Sequence, residues 1–156
     1  MTDEPNYLEA LRSDLCHALG EAVWAFSMIE RLTYRYMKAL SSEPLHELMA
    51  DQGFNARIKL VKRLIDRLQG QDEEKTYALH YVRRAEQLAA TRNMVAHNPW
   101  QIRVDFQTDE FKSAIRKFED DRPGLDIAEV RRFAADAQEA ASGLEYALGN
   151  LRFRGP

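Results

Sequence analysis

Between Leu8 and Leu40 the apolar residues Leu8, Leu11, Leu15, Leu19, Ala22, Phe26, Ile29, Tyr36 and Leu40 recur at helical spacing. That period gathers them on one side of an α-helix. No proline interrupts the run, so the spacing predicts one long helix of about 50 Å, with Gly20 as the place for a bend. "SSEPLHEL" then supplies a cap and a proline suited to a first helical turn, which predicts a short helix over 43–50. After Gly53, "FNARIKLVKRLIDRLQG" divides into two faces. Phe54, Ile58, Leu60, Val61, Leu64, Ile65 and Leu68 share one arc, while Lys59, Lys62, Arg63, Asp66 and Arg67 take the other. Gly70 is placed to end this amphipathic helix.

The next helix is predicted from about Glu73 to His97, with Tyr77, Tyr81, Val82, Ala85, Leu88, Ala89 and Val95 as its buried stripe. Asn98 precedes Pro99, and the residue before a proline is pushed out of helical φ/ψ, so the helix stops there. "WQIRVDF" alternates with period two and reads as a strand; "QTDE" reads as a turn. "FKSAIRKF" either pairs back as a second strand or forms a short helix. "DDRPGLD" is a polar loop, Asp126 with Glu129 forms a capping-box-like start, and a last helix runs to about Asn150 before a frayed tail, "LRFRGP". The fold class is therefore all-α: a bundle of four main helices, five with the short one, carrying a small hairpin or loop excursion. Residues 1–156 read as a single domain without internal repeats.

Composition narrows the functional classes. A chain of 156 residues can bury a core without covalent staples. Cys16, the single cysteine, excludes an internal disulfide framework and reads as a core residue of the first helix rather than a nucleophile. No stretch is apolar and long enough for a membrane span, and the acidic start lacks the basic-then-apolar order of a signal peptide. A cytoplasmic location is the default expectation. The net charge of −3 argues against coating nucleic acid by charge alone, yet leaves room for a local basic patch. Lys59, Lys62, Arg63 and Arg67, extended by Arg83 and Arg84, are the candidate RNA-binding groups; a solvated face is the plainer reading. His17, His46, His80 and His97 include no i, i+4 pair, and there is no HExxH motif, so a metal site is not expected. Glu43–His46 and Asp14–His17 have carboxylate-x-x-His spacing but no matching second motif. With no Gly-rich phosphate loop either, no cofactor is expected.

The stretch that points to chemistry is "TRNMVAHNPW", Thr91 to Trp100. Asn93 and His97 lie i, i+4 on one helical face, and Arg92 stands about 140° round from His97. Spacing alone carries little information, because Arg12–His17 has it too; that pair sits among Leu11, Leu15 and Leu19 on a core stripe. "RNMVAH", at the end of a late helix and followed by an extended excursion and a final helix, resembles the Arg-x4-6-His signature of the HEPN superfamily (the higher-eukaryote and prokaryote nucleotide-binding domain). The helix containing "WAFSMIERL" is similar to that family's layout as well.

The resemblance implies a homodimer in which motif helices of two protomers form one composite cleft. It further implies metal-independent endoribonuclease activity, typical of a toxin or defence effector. In that reading His97 is the general acid or base, Arg92 holds the phosphate, and Asn93 orients His97 or contacts the phosphate. The resemblance also implies that Glu30 faces the motif helix, where it either holds Arg92 ready or makes a structural salt bridge. Trp24 and Trp100 are either dimer-interface anchors or core residues, whereas Tyr34, Tyr36 and Met37 read as packing. Two rival readings stay open. One is a non-catalytic HEPN-like helical adaptor that binds a nucleotide, nucleic acid or protein; the other is a helical subunit paired with a nucleotidyltransferase antitoxin.

Overall fold

The long apolar stripe forms one unbroken helix, α1 (Tyr7–Leu40), in a computed structural model that describes residues 7–108, 110–117 and 124–151. The remaining elements are α2 (Leu45–Leu48), α3 (Phe54–Arg67), α4 (Asp72–His97), β1 (Trp100–Asp105), β2 (Glu110–Ile115) and α5 (Ile127–Asn150). The molecule is an all-α bundle with a small two-stranded sheet. Helix α1 passes through Gly20 without a break, because that glycine is exposed and the core contacts lie on other positions. Leu8 at the start of the stripe is exposed, whereas Leu15, Ala22, Phe26, Ile29, Tyr36 and Leu40 are buried as their spacing predicts.

Helices α1 and α5 share the most extensive interface, followed by α4 with α5. Ala18, Ala22 and Ala25 on α1 and Ala134, Ala137, Ala140 and Ala141 on α5 are buried, and such small side chains let helix axes approach closely. Phe26 fills the space between them, against Phe54 at 4.9 Å and Phe133 at 6.0 Å between ring centroids. The buried Tyr36 hydroxyl donates to the Leu144 carbonyl at 2.8 Å, tying α1 to α5. Helix α5 starts with both hydrogen bonds of a capping box: Glu129 N–H to Asp126 Oδ1, and Asp126 N–H to Glu129 Oε2, each 2.8 Å.

Other predicted boundaries moved. Helix α3 ends at Arg67 with Leu68 extended, before Gly70 is reached. Gly70 (φ 68°) and Gln71 (φ 58°) then take successive left-handed conformations that turn the chain into α4. The buried stripe of α4 is Ala78, Val82, Ala85, Ala89 and Val95. Tyr77, predicted on that stripe, is 40% exposed, because the smaller Ala78 takes the position against the core. Cys16, predicted as core, is exposed: Leu15 and Ala18 occupy the inward positions of that turn.

Asn98 is extended (φ −123°, ψ 142°), and its N–H and side-chain amide both donate to the Met94 carbonyl, closing α4 at His97. Of the two predictions for "FKSAIRKF", the strand is the one formed, with Trp100 opposite Ile115 and Asp105 opposite Glu110 in an antiparallel register. Ile115 is buried and bridges to Leu125, which anchors the hairpin to the bundle. Ile102, Val104 and Phe106 remain exposed on it. Most of the predicted loop "DDRPGLD" and the tail after Leu151 lie outside the described residues.

Candidate functional site

Arg92 lies five residues before the end of α4, and its guanidinium reaches across to α1. Its Nη2 donates to Glu30 Oε1 at 2.9 Å, its Nη1 to Asn93 Oδ1 at 3.2 Å, and its Cζ stands 5.8 Å from the centre of the Phe26 ring. An ion pair, an amide and an aromatic ring therefore hold one flexible side chain in one orientation, while 32% of it stays accessible. A guanidinium has five N–H donors, so donors remain for an incoming anion.

Glu30 is shared. Its Oε1 is also 3.7 Å from Nη2 of Arg57 on α3, whose side chain is only 9% exposed. Arg57 donates from Nη1 to the Gln52 carbonyl and lies 4.8 Å from the Tyr34 ring centre, while its Nε is buried without a partner. One carboxylate thus serves two arginines, and the cluster keeps net positive charge. Arg57 was not among the candidates drawn from the sequence. A signal was there: at about 100° per residue it falls between Leu64 and Leu68 on the apolar arc of its helix. A charge at that position must find partners or unfold its surroundings.

His97 and Asn93 are both exposed at the end of α4. Asn93 directs its side-chain oxygen to Arg92, and His97 has no hydrogen-bond partner among the described residues. Beside Arg92 lies a cleft of about 90 Å³, lined by Val23, Phe26, Ser27, Glu30 and Ala96 among others. This is well below the ~300 Å³ at which small-molecule pockets begin, so a single protomer offers room for a phosphate-sized group but not for a nucleotide. Among the described residues no cluster of three or more His, Cys, Asp or Glu side chains is arranged to hold a metal ion.

The other candidates are dispersed. Lys59, Arg63 and Arg67 are exposed on α3, with Lys62 partly covered. Arg83 is exposed, but Arg84 pairs with Asp136 at 3.2 Å and Glu139 at 3.3 Å on α5, so it serves as a helix–helix link. Arg12 and His17, which share the motif spacing, are both exposed on α1, where His17 sits 3.3 Å from Glu21. Trp24 is 68% exposed, which removes the core reading for that residue, whereas Trp100 is partly buried. Trp24 borders a cleft of about 600 Å³ between α1 and α5, whose lining includes Ala134, Ala135 and Gln138. Its neighbour Val23, also exposed, borders the Arg92 cleft, so this short surface of α1 joins the two concavities. No helix of the described residues is long and apolar enough to cross a membrane.

Comparison with protein-family models, with curated proteins and with solved structures found no match in any of the three.

Proposed function

We propose that this protein is a metal-independent endoribonuclease of HEPN type, acting as a homodimer whose two α4 ends form one RNA-binding cleft. The observation that carries this reading is the state of Arg92. It is held in place by Glu30, Asn93 and Phe26, yet it remains partly open beside a small cleft and near the exposed end of the helix that carries His97.

In the proposed reaction the 2′-hydroxyl of a ribose attacks the adjacent phosphorus. A His97 imidazole takes the hydroxyl proton, the P–O5′ bond breaks, and the leaving 5′-oxygen receives a proton from the protonated imidazole of the partner copy. The products are a 2′,3′-cyclic phosphate and a 5′-hydroxyl. Arg92 donates to the non-bridging oxygens, where negative charge grows in the transition state. The 90 Å³ cleft of one protomer is too small for a nucleotide, which favours a site completed by a second copy. Val23 and the 68%-exposed Trp24 supply apolar surface next to it, and tryptophan is a favoured anchor of such contacts. Toxin or defence activity on cellular RNA, and control by a cognate antitoxin, accompany this reading through the family resemblance alone.

A second reading is a non-catalytic helical adaptor. It is favoured by one observation: His97 has no partner among the described residues to orient its ring, and Asn93 is occupied with Arg92. The two readings separate in one experiment, incubation of folded protein with tRNA, mRNA and rRNA in EDTA. The nuclease reading predicts cleavage by the wild type and at least a hundredfold loss in Arg92→Ala and in His97→Ala. Undiminished cleavage in both variants, or none by the wild type on any of the three RNAs, overturns it.

A further inference from the structure

At the other end of α4, some 20 Å along the helix from Arg92, a second cleft of about 270 Å³ opens between α4 and α5. It is lined by Glu73, Glu74, Tyr77, Tyr146, Ala147 and Asn150. Its walls are aromatic: Tyr77 and Tyr146 meet edge to face, with centroids 5.6 Å apart and ring planes at 67°. Both rings are open to solvent, Tyr146 being 65% exposed. They are braced from behind, because Tyr77 also contacts Tyr81 at 5.1 Å, and Tyr81 lies directly over Gly143. A Cβ at Gly143 would come within 2.4 Å of the Tyr81 ring, so the glycine is what lets the tyrosines stack against α5.

Among the described residues the charge of this cleft is one-sided. Among the described residues Glu73 and Glu74 have no ion-pair partner, and none of the lysines or arginines among them lines the cleft. The nearest lysine in the chain, Lys75, is committed to the Asp66 and Leu68 carbonyls of the α3 end at 3.2 and 3.0 Å. Carboxylates in a first helical turn complement the helix dipole and need no ligand for that. The dipole does not account for two solvent-exposed tyrosines lining the same cleft. Aromatic faces attract cations through their quadrupole, most of all alkylammonium groups whose own hydration is weak.

We infer that the Tyr77–Tyr146 cleft is a binding site for a small alkylammonium ion. The cation rests against the tyrosine faces with Glu73 and Glu74 beside it, and the Asn150 side-chain oxygen is available to accept from an N–H or O–H of the ligand, since its amide nitrogen already donates to the Tyr146 carbonyl at 2.8 Å. This site stands apart from the Arg92–His97 region and does not depend on the nuclease reading.

The test is an ¹⁵N–¹H NMR titration of the intact chain with choline, with its uncharged isostere 3,3-dimethyl-1-butanol, and with potassium chloride at matched ionic strength. Choline is expected to give saturable shifts centred on the amides of Tyr77, Tyr146, Ala147 and Asn150, while the alcohol and the salt give none. Tyr146→Ala and the double substitution Glu73→Gln/Glu74→Gln should each weaken choline binding about tenfold. All three side chains are exposed, so the spectra of both variants should otherwise match the wild type. Equal shifts with the neutral isostere or with salt, shifts that do not saturate, or binding unchanged in both variants would each overturn the assignment.

Discussion

Glu30 illustrates how one side chain can serve two ends. It neutralises part of the buried charge of Arg57 and at the same time fixes Arg92 at the cleft. Glu30→Gln keeps the shape and removes the charge, leaving Arg57 without its counter-ion. It should lower unfolding stability by about 1–3 kcal/mol in a urea titration, and the loss should shrink when Arg57→Met is added, because the orphaned charge goes with it. Strictly additive losses would mean that the two residues are not coupled. Tyr36 gives a pH dependence. Burial raises its pKa well above the ordinary phenol value despite the neighbouring Arg35. A raised folded-state pKa means that its stabilising contribution is complete below about pH 10 and is lost as pH rises through the folded value. Alkaline unfolding should therefore steepen above about pH 10 and flatten in Tyr36→Phe, although that variant also gives up the bond to Leu144.

Among the elements, α5 is set by its capping box and by the glycine and alanines that let it lie close to α1 and α4. Two glycines make a contrast that heat denaturation can read. Gly143→Ala drives a methyl into the Tyr81 ring and should cost about 1–3 kcal/mol. Gly20→Ala meets nothing within 4 Å on an exposed helix face and should stabilise by about 0.5–1 kcal/mol. Helix existence and the strong faces of α1 and α3 were legible in the sequence because apolar period translates directly into burial. Boundaries were less so: Gly70 acts in a left-handed reversal beyond the end of α3, not as its cap. Tyr77 and Cys16 were misplaced for a common reason. Each adjoins the buried stripe, where a smaller or better-directed neighbour, Ala78 in one case and Leu15 in the other, takes the inward position.

For the whole molecule, the candidate site was only half visible beforehand. Arg92 stood out through the Arg-x4-6-His signature and Glu30 as an acidic residue within the apolar stretch of α1, and their contact joins residues 62 apart in the chain. Arg57 was not legible as a site residue because it lies on the apolar arc of α3, apart from the basic face of Lys59, Lys62, Arg63 and Arg67. Whether two copies complete the site is a question of assembly. The homodimer reading predicts a dimer by sedimentation at micromolar concentration, weakened at least thirtyfold by Trp24→Ala, a loss of about 2 kcal/mol. A monomer at that concentration would remove the composite cleft and leave Arg92 beside a cavity too small for a nucleotide.

The most direct test of the central claim is chemical. An RNA that the wild type cuts in EDTA is mapped to the nucleotide and remade with a single 2′-deoxyribose on the 5′ side of that bond. Attack by the 2′-hydroxyl predicts that this bond, and only this bond, becomes resistant, and that the unmodified RNA ends in a 2′,3′-cyclic phosphate. Cleavage of the deoxy-substituted bond at an unchanged rate would contradict the account.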